Sequence, residues 1–260
     1  MAMSSDDENS SLWGRTEERE FSYIVTVPSS NQQPSKVSLT AVQDREVCTG
    51  TPAFPSHGHC VWDAAMLLAD YLQAKANNDK FSLQDKKVVE LGAGVGLVGM
   101  TLAVLGAQVA LTDQEYALPL LHKNVDVNFR QKSCKSFNAG EVTVPKVEMC
   151  QWGERFESDG SLETWRKNVD VVVFSDVLYH ASAFLLLIET LHELTSPSTD
   201  VFFSYETRNK SVEANFLQQL RETFDVEEIS RDDNAQVFDS FEYADELFIF
   251  HARRKADSKP

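Results

Sequence analysis

The side chains able to do chemistry in this sequence recur just after short apolar runs: Glu90, then Asp113, then Trp152, then Asp176 and Tyr179, then Glu206 and Arg208. The first lies in Val88-Val-Glu-Leu-Gly-Ala-Gly-Val-Gly-Leu-Val-Gly99, where an apolar strand runs into closely spaced glycines and the apolar stretch Leu97 to Leu105 then has helical length. Strand, tight turn and helix in that order form a place for a nucleotide-like ligand. Gly94-x-Gly96-x-x-Gly99 also satisfies the dinucleotide pattern, in which a pyrophosphate rests on the helix N-terminus because backbone N–H groups and the dipole favour anions there. Glu90, two residues before Gly92, sets a carboxylate against that anion. S-adenosylmethionine has no phosphate and carries an ammonium and a sulfonium, so the same carboxylate favours it. Asp113, nineteen residues beyond Gly94, closes the next predicted strand and can accept hydrogen bonds from both hydroxyls of a ribose. Adenosine fits this pattern better than pyrophosphate does.

The elements that must position these residues alternate. Val61, Ala64, Ala65, Leu68, Tyr71 and Leu72 fall on one helical face, with Trp62 beside it, equally readable as packing or as a wall for a ligand. Val88–Leu91 and Gln108–Thr112 read as strands, and Glu115–Phe129 as a helix with Leu118, Leu121, Val125 and Phe129 on its stripe. Val142–Cys150 is a strand region, followed by Trp152-Gly153 and a loop containing Gly160; Val169–Phe174 is apolar throughout, as a buried parallel strand is. Phe184–Leu194 is a helix, Val201–Tyr205 a strand and Val212–Phe224 a helix; Val226–Ser230 and Glu246–Ala252 then end the chain as β segments without a helix between them. Strand and helix in alternation give right-handed crossovers and a doubly wound, mostly parallel α/β sheet, and the final pair gives an antiparallel edge. Ligands of such sheets bind beyond the carboxyl ends of the strands, where the polar residues named above fall.

Ahead of this core, Phe21–Val27 and Val37–Val42 form a β-hairpin, and residues 1 to 20 are polar enough to be disordered. The expected organisation is therefore one domain over residues 21–260, with a β extension at 21–55 and a catalytic core at 56–260. Ser56-His-Gly-His-Cys60 cannot close a tetrahedral metal site alone and reads as a loop, so no metal site is expected. Cys48, Cys60, Cys134 and Cys150 are too widely spaced for a zinc module or a disulfide framework, which suits a reducing compartment. No run is long and apolar enough for a membrane span, and a formal charge of −16 argues against nucleic acid as a partner. It suits a lysine-bearing protein, and equally mere solubility.

With these residues in hand, the chain resembles the seven-strand S-adenosylmethionine-dependent methyltransferases, and among them methyltransferase family 16, which includes many protein-lysine methyltransferases. The resemblance runs from Val61 to the last β segment. It rests on Val61-Trp62-Asp-Ala-Ala with Tyr71-Leu72, on Glu90-Leu-Gly-Ala-Gly-Val-Gly, and above all on Asp176-Val-Leu-Tyr179, an Asp-x-x-Tyr after the fourth strand; Trp152-Gly153 and Ser204-Tyr-Glu-x-Arg208 are further shared features. It implies a seven-stranded Rossmann-like methyltransferase fold, with Glu90, Gly92, Gly94 and Gly96 along the methionine side of S-adenosylmethionine and Asp113 on its ribose. Trp152 would flank adenine, Trp62 would close over the cofactor, and Asp176 and Tyr179 would face the substrate as the catalytic pair. The product would be S-adenosylhomocysteine. The implied partner is a protein with an accessible lysine, methylated by a monomer in the cytoplasm, with the nucleus as a second compartment.

A small molecule or a histidine residue as acceptor stays open at this point, as does a noncatalytic interaction module on the same fold. A nicotinamide-dependent oxidoreductase shares the glycines, but Glu90 and the lack of a hydride-transfer constellation count against it. Glu206 and Arg208 are expected to pair with one another more readily than with substrate, because buried charges need partners. His180 reads as a packed or exposed residue, and Arg253-Arg-Lys255 as a solvated end.

Overall fold

The computed structural model describes residues 17–27, 34–48, 57–78, 81–131, 142–154, 165 and 168–256. Its sheet is built by β3 (Lys87–Leu91), β4 (Gln108–Asp113), β5 (Lys146–Met149), β6 (Val171–Ser175), β7 (Asp200–Glu206), β8 (Phe224–Glu228) and β9 (Leu247–Arg254), in the order β5-β4-β3-β6-β7-β9-β8. The first five strands in that order are parallel, whereas β9 runs antiparallel to both β7 and β8. The reversed strand is thus inserted beside β7, and β8 forms the edge. The chain leaves β3 towards β4 and β5, then returns to β6 on the other side. The carboxyl ends of β3 and β6 are therefore neighbours at the switch point where such sheets open a crevice.

Both faces of the sheet are covered, which is why its strands read as continuous apolar runs. Val88, Val109, Val171 and Phe202 join the core under α1 (Asp63–Asn77) and α2 (Leu97–Val104). Their neighbours Val89, Ala110, Val172 and Phe203 point the other way, under α4 (Phe184–Leu194) and α5 (Lys210–Thr223). On that second face Phe174, Phe203 and Phe250 lie directly opposite one another on β6, β7 and β9 and stack at 4.7 and 5.1 Å between centroids. Each buries a large apolar side chain completely, worth roughly 1.5–3 kcal/mol.

Three expectations change in detail. The stretch read as one helix over Glu115–Phe129 is a 3-10 turn at Glu115–Ala117, α3 (Leu118–Val125) and a π turn at Asp126–Gln131. The widening has a local cause: the Asn128 side-chain amide donates to the Asn124 carbonyl at 2.8 Å, the acceptor a regular helix offers to the backbone amide four residues on. The last two strands are not joined by loop alone, because a 3-10 turn at Asp232–Asn234 and the one-turn helix α6 (Ala235–Phe238) intervene. Strand β5 is four residues long, shorter than the region expected. Of the disorder expected over residues 1–20, residues 1–16 lie outside the described residues, as do Ser56, Cys134 and Gly160; a strand already starts at Glu20.

The hairpin of β1 (Glu20–Val27) and β2 (Ser35–Val42) is present and docks against the helices through side-chain amides. Asn128 brackets the Thr40 N–H and C=O at 2.8 Å each, and Asn124 does the same for Val42 at 2.6 and 3.1 Å. On the opposite edge, Gln73 and Asn77 of α1 take the N–H and C=O of Thr26. Side chains four apart on a helix share a face, so each pair reads like a short extra strand against the hairpin.

Candidate active site

At the end of β3 the backbone turns left-handed at Gly92, Gly94 and Gly96 before α2 begins. Only glycine enters that region without strain. Gly94 is also pressed from outside: a Cβ there would lie 3.2 Å from the Cα and carbonyl oxygen of Gly58. The first turn of α2 has no cap from its own loop, since Gly96 is the N-cap and offers no side chain. Glu90 supplies it instead, its Oε2 accepting from the Gly99 N–H at 2.8 Å. The Glu90 side chain is buried, and burial pushes its carboxyl up to about 8, with the Gly99 bond opposing and Asp113 adding to the rise.

Asp113 ends β4 beside this turn. Its Oδ2 accepts from the Gly94 N–H at 2.8 Å and its Oδ1 from the Gln114 N–H at 2.7 Å, so the carboxylate fastens the glycine turn to the neighbouring strand. Burial raises its pKa, and those two bonds oppose the rise. Each oxygen keeps lone-pair capacity for a hydroxyl donor. The segment His57–Cys60 straps across the turn at Gly58 and is tied to α1 through the Trp62 Nε1–H, which donates to the His57 carbonyl at 2.9 Å.

On the other side of the switch point Asp176 follows β6 with φ +55°, an uncommon conformation for a residue with a side chain. Its amide donates to the Ser204 carbonyl of β7 at 2.9 Å, which fixes the turn. The side chain is only 5% exposed and meets a fork: Arg208 Nη1 donates to Oδ1 at 2.7 Å and Nη2 to Oδ2 at 2.9 Å. Nη2 also reaches Glu206 Oε2 at 3.0 Å, and the guanidinium lies 5.5 Å from the centre of the Trp62 ring. The expected Glu206–Arg208 pair is therefore part of a three-membered cluster in which Asp176 makes the bidentate contact. Buried Glu213 of α5 holds the loop that presents Arg208, accepting from the Thr207 hydroxyl and from the amides of Arg208 and Asn209.

Tyr179 is 45% exposed at the mouth, edge-on to His57 at 5.3 Å and His180 at 4.8 Å. Partial burial, then the Asp113 and Asp176 carboxylates, push its phenol up to about 12, so it stays protonated at neutral pH.

One cleft of about 1060 Å³, counting its open mouth, joins these groups. Trp62, Glu90, Gly92, Gly94, Asp113, Trp152, Asp176 and Tyr179 all line it. Gly96 does not; it turns towards Leu121 and Leu111, where a Cβ would collide with the Leu121 side chain at 2.7 Å. The sequence reading missed His57, Gly58 and Cys60, which it assigned to an uncommitted loop and which form one wall. The available signal was a glycine-containing loop, with Gly58, directly before Trp62 at the start of the helix. It also missed the link from Arg208 to Asp176, since nothing in the local sequence joins residues so far apart.

The donor set fits an S-adenosyl group. Among the described lining residues there is no lysine or arginine, and the N-terminus of α2 already holds the Glu90 carboxylate. A pyrophosphate would face the acidic groups Glu90 and Asp113 without a cation, whereas a cationic methionine end favours the ionised form of Glu90 and a ribose finds Asp113.

Residues 51–223 match the family model described as lysine methyltransferase. The protein N-lysine methyltransferase METTL21A of Danio rerio is 36% identical over 178 residues, which is 68% of this chain and 73% of that protein. The EEF1A lysine methyltransferase 3 of Xenopus tropicalis is 33% identical over 181 residues, 68% of this chain and 70% of that protein. Among solved structures, the T. thermophilus 16S rRNA N2 G1207 methyltransferase in complex with AdoMet and guanosine superposes with a TM-score of 0.51 at 14% identity, over 92% of this chain and 51% of that chain. At that identity the likeness is one of fold.

Proposed function

The chain belongs to the lysine methyltransferase family, and from that premise we propose how its cleft methylates a protein lysine with S-adenosylmethionine. On this reading Glu90, Gly92 and Gly94 hold the methionine end, Asp113 the ribose, and Trp152 flanks the adenine. Trp62 and the His57–Cys60 strap cover the cofactor, and Asp176 with Tyr179 receives the acceptor. Gly96 has a different part, shaping the turn from behind. The observation that carries the reading is that Glu90 and Asp113 line the same cleft as Asp176 and Tyr179.

The acceptor nitrogen must arrive with a free lone pair. With a pKa near 10.4, roughly one lysine in a thousand is neutral at pH 7. In the transfer the amine takes the methyl carbon as the carbon–sulfur bond breaks, its electrons staying on sulfur, and the new ammonium sheds a proton to water. Tyr179, protonated at neutral pH, cannot serve as the base; it walls the entrance. Asp176 aligns the amine, and positioning of this kind supplies several kcal/mol of the barrier. The protein acts as a monomer in the cytoplasm, with the nucleus as a second compartment; the wide spacing of Cys48, Cys60, Cys134 and Cys150 in the sequence supports a reducing location.

The test is transfer of labelled methyl from S-adenosylmethionine to the proteins of a cell extract, with the labelled amino acid identified. Methyl-lysine in a discrete band, falling about a hundredfold or more in Asp176→Ala, is the expected result. Turnover of that variant at the wild-type level would refute the role given to Asp176, and label in histidine or in a small molecule would move the acceptor class.

A further inference from the structure

A carboxylate beside the acceptor poses a difficulty. It attracts the lysine, but as the ammonium, which has no lone pair to give. The structure places a permanent cation on that carboxylate. We propose that Arg208 is a positioning residue for the acceptor: by neutralising Asp176 it lets this carboxylate align a lysine as the free amine rather than hold it as the ammonium. The proposal rests on the lysine methyltransferase reading above.

Three observations carry it. First, the fork is bidentate, so both Asp176 oxygens are engaged by one guanidinium, the strongest common form of this contact. Second, counting acceptor positions leaves one. A carboxylate has about four lone-pair positions; Oδ1 uses two, on Arg208 and on the Glu206 backbone amide, and Oδ2 uses one, on Arg208. The remaining position on Oδ2 suits a single N–H of an amine. Third, Arg208 is held from outside the cleft: Glu213 fixes its backbone, Trp62 lies against its guanidinium, and it is not part of the cleft lining. From that position it acts on the amine through Asp176.

Glu206 shares the guanidinium at 3.0 Å, so the cluster carries one surplus negative charge, enough to draw a lysine in. The other groups that face it are Glu213 beside Arg208, Asp63 and Glu246 beside Glu206, and His57, His180, Tyr179 and Asp113 around the mouth. None of them is altered in the variants below.

The proposal is tested by single-turnover transfer of labelled methyl from S-adenosylmethionine to cell-extract proteins at saturating enzyme. The rate is read as methyl-lysine from neutral pH to the lysine range near 10. The wild-type rate climbs with pH and levels off at the pKa of the bound amine. Arg208→Gln is expected to move that limb upward by about one to two pH units, the size of effect one adjacent charge produces. Arg208→Lys, which keeps the charge, is expected to restore the wild-type limb even at a lower plateau. Glu206→Gln removes the surplus negative charge and is expected to move the limb downward. Opposite displacements from neighbouring substitutions are not a signature of general damage. A loss in Arg208→Gln by one constant factor at every pH, or coincident limbs in all the proteins, overturns the proposal while methyl-lysine formation by the wild type stands. Absence of methyl-lysine from the wild type overturns the underlying reading, and this one with it.

Discussion

Replacing Glu90 by Gln separates the two duties of that side chain. The glutamine carbonyl can still accept from the Gly99 N–H, so the cap on α2 survives, but the group no longer titrates. In the wild type the carboxyl titrates at about 8 in the folded protein against an ordinary 4.5. Between those values the folded protein keeps a proton that the unfolded chain has released, so stability falls as pH rises through the window. At about 1.4 kcal/mol per pH unit the loss is on the order of 4 kcal/mol, present in the wild type and absent in Glu90→Gln. Urea unfolding of both proteins without cofactor, repeated from about pH 5 to pH 9, gives the difference, because titrating groups that are not coupled to Glu90 cancel. The variant should match the wild type at the acidic end and exceed it progressively towards the alkaline end. Its affinity for S-adenosylhomocysteine should fall progressively below the wild type's towards the alkaline end, where the wild type presents the ammonium with a carboxylate. Stability curves that run parallel with pH would refute the buried, proton-holding Glu90 argued here.

Two further substitutions probe the supports of the site. Gly99→Ala places a methyl 2.2 Å from Leu111 Cδ2 and 2.6 Å from Glu90 Oε2, so it should lower stability by about 1–3 kcal/mol and weaken cofactor binding, as a melting curve and a titration with S-adenosylhomocysteine would show. Asn124→Leu strips the partners from both the Val42 N–H and C=O; a loss of about 2–5 kcal/mol is expected, together with faster hydrogen exchange at the Val42 amide.

The strand-end residues are legible in the sequence because a buried parallel strand leaves an apolar run, and its end is where the first polar residue appears. Phe184–Leu194 is a helix with the expected ends because its apolar period is undisturbed. The antiparallel close of the sheet follows from the absence of a crossover-length helix before the last strand, although the insertion of β9 next to β7 needs the structure. The π turn is hidden because it depends on one amide choosing a carbonyl of its own helix. The strap at His57–Cys60 has no period, and its value lies in contact with Gly94, far along the chain. For Arg208 the near partner Glu206 is visible two residues away, whereas the nearer contact, Asp176, comes from the preceding strand of the sheet. The left-handed backbone at Asp176 leaves no trace in composition either.

The amide clamps on the hairpin also set a schedule for the newborn chain. A lone two-stranded ribbon is marginal in water, and here Thr26 waits for partners 47 and 51 residues downstream and Thr40 for one 88 residues downstream. At a synthesis rate of about 5–20 residues per second, the last of those partners is made roughly 4–18 seconds after the strand it secures. Until then this β-rich hairpin has bare edges, so it is where a chaperone would find a long opportunity and where misassembly would begin.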